Sequence, residues 1–137
     1  MWKWYAVFSA FFAALTAILA KLGVKNVNSN VATAIRTLVI LVITWGILLI
    51  GGQLRDIKNL TKTNLLFLVL SGIATGLSWL FYFKALQTGD VSKVAPIDKL
   101  SIAIAMALSF VFLGEQADAK TIIGGLLIIA GTIVIII

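Results

Sequence analysis

The amino-acid sequence predicts an all-α membrane protein, a bundle of five transmembrane helices, on three observations. Of its residues 61% are apolar and only 12% charged, against about a quarter charged in an ordinary soluble domain. That leaves too little polar surface to cover a globule in water. The apolar residues gather into five runs, each near the ~20 residues that cross a ~30 Å hydrocarbon core. The polar breaks between runs are a dozen residues at most, so no soluble domain fits between them. The chain reads as one transmembrane domain over 1–137, with helices near 3–21, 31–51, 64–87, 94–114 and 119–137.

The first run opens on Trp2, Trp4 and Tyr5, an aromatic anchor for the membrane–water interface. Lys3 and the Ala-rich end of this run also imitate a signal peptide. Four further runs follow, so the first is read as a span. The break from Lys21 to Asn30 leads into the second run, which Gly51-Gly52 closes. A charged loop over 53–64 precedes the third run, and Gly89-Asp90 ends it. The fourth starts near Pro96 and ends at Gly114, and Asp118 is the expected N-cap of the fifth. Isoleucine-rich stretches such as 133–137 favour strand in water. In lipid a lone strand would leave its amides unsatisfied, so helix is expected.

The same composition narrows function. Without cysteine there is no disulfide or thiolate chemistry, and without histidine the commonest general base and metal ligand are missing. Three of the five acids lie within two residues of lysine or arginine, and none belongs to a cluster of ligands. The sequence thus points to no enzyme, no catalytic residue, no metal and no cofactor. The net charge of +6 is scattered over loops and helix ends, unlike the patch of a nucleic-acid binder. A bilayer is the expected partner.

Five crossings put the termini on opposite faces. On the N-terminal side stand Lys3, Arg55, Lys58, Lys62 and Lys120; on the other, Lys21, Lys25, Arg36, Lys84, Lys93 and Lys99. Orientation follows the bias in such a count, and this one is nearly balanced. Setting aside Arg36, Lys84 and Lys99 as intramembrane leaves a mild vote for a cytoplasmic N-terminus. Taken whole, the balance favours insertion in both orientations.

Several motifs recur in a recognisable order. Leu54-Arg-Asp-Ile-Lys-Asn-Leu60 is followed by Gly76-Leu-Ser-Trp-Leu-Phe-Tyr-Phe-Lys-Ala-Leu86 and Val94-Ala-Pro-Ile-Asp-Lys-Leu-Ser101. Phe112-Leu-Gly-Glu115 and Ile123-Gly-Gly-Leu-Leu-Ile-Ile-Ala-Gly131 complete the series. In this order the chain resembles the EamA domain of the drug/metabolite transporter superfamily. Most members carry two such domains as inverted repeats, and this sequence carries one. The resemblance implies a transporter, in a bacterial or archaeal cytoplasmic membrane, that works as a dimer. The last helix resembles the dimerisation helix of the small multidrug resistance proteins, which form antiparallel dual-topology dimers.

Carriers that rock two inverted repeats around a midplane site impose the same requirement. An antiparallel homodimer is therefore expected, carrying a small metabolite by alternating access. The alternatives are a lipid-carrier flippase, or a flippase subunit with a half-size partner, and a membrane scaffold that transports nothing.

Ionisable residues inside spans are costly and face protein or water. Arg36, Asp98 and Lys99 are the candidate substrate contacts of this kind, and their excess of cations favours an anionic or zwitterionic substrate. Neighbours on a helix point about 100° apart, so Asp98 and Lys99 are expected to diverge, one of them pairing through Arg36. Pro96 is expected to open the first turn of their helix. Lys21 and Lys84 are expected to snorkel to the interface. Thr75, Ser78 and Tyr82 form a hydroxyl stripe on the third helix, with Trp79 as an aromatic wall. Interhelical hydrogen bonding is the rival use of such a stripe. Gly72 and Gly76 are expected to pack within one copy, and Gly124, Ile128 and Gly131 to form the dimer seam.

Overall fold

The computed structural model describes residues 1–137. Six α-helices follow one another, with no strand: α1 Trp2–Gly23, α2 Ser29–Ile50, α3 Lys62–Thr88, α4 Val91–Asp98, α5 Leu100–Leu108 and α6 Ala119–Ile136. With α4 and α5 read as one interrupted segment, Val91–Leu113, five helices are long and apolar enough to cross a bilayer. The protein is an integral, multi-pass membrane protein, and its exposed apolar faces contact lipid.

Local chemistry sets the helix ends. Asn28 caps α2, its side chain accepting from the Asn30 amide at 2.8 Å. α2 stops at Gly51, whose N–H bonds back to the Ile47 carbonyl at 2.8 Å. A Cβ at Gly51 would stand 3.0 Å from that carbonyl, and Gly52 follows at φ 67°, a conformation that suits glycine. The charged loop that follows holds a 3-10 turn, Gln53–Asn59. Asp118 stands at the N-cap position of α6 but makes no side-chain capping bond.

The fourth span departs most from the expected course. It begins at Val91, earlier than the sequence suggested, so Pro96 lies beyond the first turn rather than opening it. The helix breaks at Lys99, with ψ −7° in place of the usual helical value, and resumes as α5. Pro96 has no N–H to offer the turn before it. The Lys99 amide bonds both the Ala95 and Pro96 carbonyls, at 3.3 and 3.1 Å, which tightens the turn after it. The span ends in a π-helical turn, Ser109–Leu113, closed by Gly114 at φ 66°.

The chain falls into two compact units. Residues Leu19–Gln87 form one. In it Ala20, Val24, Phe83 and Leu86 are buried. The α1–α2 turn is tied to the end of α3: Lys21 Nζ donates to the Leu86 carbonyl, and Gln87 Nε2 to the Val27 carbonyl. Lys21, expected to reach for the interface, satisfies one of the carbonyls that the end of α3 leaves open.

The other unit comprises Met1–Ile18 and Thr88–Ile137. Here α4 and α5 pack on α6. Buried Gly125 is the close-approach point, since a Cβ there would meet Met106 Cε at 3.0 Å. Buried Thr132 donates to Ile128 O at 2.8 Å and lies 3.4 Å from Pro96 O. Threonines in spans repeatedly turn their hydroxyls onto the carbonyl four residues back, as Thr37 does onto Thr33 at 2.8 Å. That habit satisfies a polar group where lipid offers no partner.

Candidate functional site

Within the Leu19–Gln87 unit, α2 and α3 assemble a cation against aromatic rings. Arg36 lies roughly 10 Å into α2 at 1.5 Å per residue. Its guanidinium carbon stands 3.2 Å from the Trp79 ring centroid and 5.8 Å from that of Phe83. Trp79 meets Tyr82 edge-on, at 5.5 Å and 83°, and Phe83 at 5.7 Å. Residues 79, 82 and 83 share a helix face by their spacing, so a single turn of α3 supplies all three rings. Arg36, Trp79 and Tyr82 are half-buried and Phe83 is buried.

This arrangement holds the guanidinium over the face of the Trp79 ring, a cation–π contact worth more where water is excluded. It leaves the edge of the guanidinium, where the N–H donors lie, for something else. Arg36 takes part in no ion pair or side-chain hydrogen bond within the chain. A planar fork of donors so placed matches a carboxylate or phosphate. Phe83 was not singled out from sequence, although its place four residues after Trp79 on an apolar face was the available signal.

Of the hydroxyl stripe, Thr75 and Ser78 are exposed on α3. Thr75 gives its proton to the Ser71 carbonyl at 2.8 Å, so that donor serves its own helix and leaves the oxygen lone pairs to accept.

Asp98 and Lys99, in the other unit, form an ion pair of 3.2 Å. The expected divergence fails because the helix breaks between α4 and α5 at Lys99, which lets the long lysine side chain fold back onto its neighbour. Asp98 takes Lys99, and Arg36 takes Trp79, in place of the pairing expected through Arg36. The pair lies roughly 12 Å along a span about 34 Å long. Opposite charges held together offset the penalty each would face alone in hydrocarbon.

The glycines sort differently from expectation. Gly72 and Gly76 have nothing within 4 Å of a built Cβ, so they do not serve packing within one copy. Gly125 does. Gly124 and Gly131 also face open space, with half-buried Ile128 between them on the same helical face.

The sequence profile of the EamA-like transporter family matches residues 1–137. This chain belongs to the EamA-like transporter family. A Sinorhizobium protein named "Uncharacterized transporter in cobO 3'region" is 46% identical over 134 residues, 98% of this EamA-family chain and 95% of its own length. An uncharacterized protein of Methanocaldococcus jannaschii is 34% identical over 93 residues, 66% of this chain and 68% of its own. No solved structure matches the chain. The family and the transporter-named relative place this EamA-family protein among membrane transporters.

Proposed function

We propose that this EamA-family protein is a secondary carrier, not an enzyme, for a small anionic or zwitterionic metabolite. It works by alternating access as an antiparallel dual-topology homodimer. The observation that carries the substrate class is Arg36, an intramembrane guanidinium stacked on Trp79 with no carboxylate of its own chain beside it. A carboxylate or phosphate on the substrate would accept from that fork, while Trp79 and Tyr82 line its body. Thr75 and Ser78 would add weaker polar contacts; Asp98, paired with Lys99 in the other unit, would serve separately as a group that exchanges a coupling proton.

The dimer is supported by two features. Five spans give odd parity, so two copies inserted in opposite directions would make a pair of inverted halves. The open face of Gly124, Ile128 and Gly131 lets a second α6 approach closely.

Flux in proteoliposomes tests the reading. Vesicles holding purified protein should exchange labelled small carboxylates or phosphate esters and ignore organic cations of similar size. Arg36→Gln should lower uptake at least about a hundredfold, the scale of one buried charge-assisted contact removed. Equal transport of cations and anions, or an Arg36→Gln protein as active as wild type, would refute the assignment.

A further inference from the structure

The turn between α1 and α2 and the last turn of α3 enclose a cleft of about 520 Å³ within the Leu19–Gln87 unit. Its polar lining is Lys21, Lys25, Asn26 and Gln87; Val24 and Leu86 are among its apolar lining. No acid lines it, so its formal charge is that of two lysines. It lies where the first and third spans end, at the level of the membrane–water boundary.

The cleft is built rather than incidental. Lys21 to the Leu86 carbonyl and Gln87 to the Val27 carbonyl fasten the turn onto α3 from both sides. Asn26 takes a left-handed φ of 64°, tolerated better by asparagine than by most residues, and lets the chain fold over the opening. Val24 and Leu86 are 2% and 0% exposed, so the floor beneath the polar rim is closed. The Lys21 ammonium is hydrogen-bonded to the Leu86 carbonyl, which orients it at the cleft. Lys25 makes no ion pair or side-chain hydrogen bond within the chain.

We infer that this cleft binds the phosphate head group of an anionic membrane lipid. The two lysines recognise the phosphodiester, the Asn26 amide adds a neutral donor, and the exposed apolar lining at Leu22 and Val27 takes the first carbons of the lipid. Basic pockets between transmembrane helices at the bilayer surface bind head groups in this way. The site is distinct from the Arg36 ring cluster, and the inference stands whether or not the protein carries a metabolite.

The test uses the full-length protein in nanodiscs of phosphatidylcholine doped with phosphatidylglycerol, with retained lipid read by native mass spectrometry. Wild type should keep phosphatidylglycerol in preference to phosphatidylcholine. Lys25→Gln should weaken retention about fivefold, the worth of one lysine near an anionic surface, and Lys25→Arg should restore it. Lys58→Gln removes the same charge away from the cleft and should leave retention unchanged. Added inorganic phosphate should not release the lipid. The proposal is overturned by equal retention of the two lipids, or by a Lys58→Gln loss as large as that of Lys25→Gln. It is also overturned by release on adding phosphate, which would assign the cleft to a soluble phosphate ester. Because Lys25 holds nothing within the chain, thermal melting should be the same for its variants and wild type.

Discussion

Lys99 folds back across the break in the fourth span to hold Asp98, its own neighbour in sequence, at 3.2 Å. The two residues meet because Pro96 withholds an N–H one turn earlier and the backbone at Lys99 leaves helical geometry. A regular helix would have sent them about 100° apart. The pair therefore depends on the break, and in lipid it makes a broken helix tolerable by presenting little net charge.

That dependence sets an expected mutational pattern. Asp98→Asn leaves Lys99 uncompensated and should lower stability by about 2–3 kcal/mol, the insertion penalty of a lone charge in a span. Lys99→Met should do the same to Asp98. The double variant removes both charges and should recover most of the loss, a coupling of about 1–3 kcal/mol. Thermal unfolding in detergent of the wild type, both single variants and the double variant measures it. Additive losses would show that the pair is not coupled.

The contact of Arg36 with Trp79 gives a second expectation, this time in transport kinetics. Trp79→Leu removes the stacking surface without touching the charge. The substrate should then meet a guanidinium free to rotate, and KM should rise about five- to thirtyfold, matching ~1–2 kcal/mol of cation–π energy. Trp79→Phe should cost less. Arg36→Lys keeps the charge but loses the planar fork, so its KM should lie between those of wild type and Arg36→Gln. An Arg36→Lys protein indistinguishable from wild type would mean that charge alone matters.

Gly125 and Gly131 stand on one helix and should fail in different ways. At Gly125 a Cβ meets the mobile end of Met106, so Gly125→Ala should cost less than about 1 kcal/mol. Gly125→Leu forces α5 and α6 apart and should destabilise the single copy by about 1–3 kcal/mol, as overpacking does. At Gly131 the same leucine meets nothing within the chain. Gly131→Leu should keep the melting behaviour of the isolated copy and lower the dimer fraction by crosslinking or mass photometry. Unchanged dimerisation in both Gly124→Leu and Gly131→Leu would remove α6 as the seam.

The sequence made the five spans legible because run length and polar breaks are governed by bilayer thickness alone. The family likeness was legible in ordered short motifs such as 112–115. Details within the spans were harder. The choice between Gly124 and Gly125 turns on one step of rotation about α6, and apolar residues surround both, so spacing does not separate them. Lys21 and Lys84 presented the same sequence signal for snorkelling, yet Lys21 found the Leu86 carbonyl, a partner 65 residues away that no local pattern announces. Arg36 was identifiable as a buried cation, while its stacking partner depended on how α2 meets α3. What could be read follows from the solvent, and what could not follows from helix rotation and long-range pairing.

Orientation offers the most decisive measurement. The eleven basic residues divide five to six between the two faces, with the N-terminal face the poorer. Reporters at both termini should therefore give mixed signals in wild-type cells. Moving lysines between the faces should tip the balance: Asn59→Lys combined with Lys93→Gln makes the N-terminal face the richer and favours a cytoplasmic N-terminus, and Ser92→Lys favours the reverse. Each variant expressed alone should show one orientation and lose transport, because both copies then face the same way. Coexpressing the two supplies each half in one fixed direction and should restore flux. If either fixed variant transported alone as well as wild type, an antiparallel pair would not be the working unit.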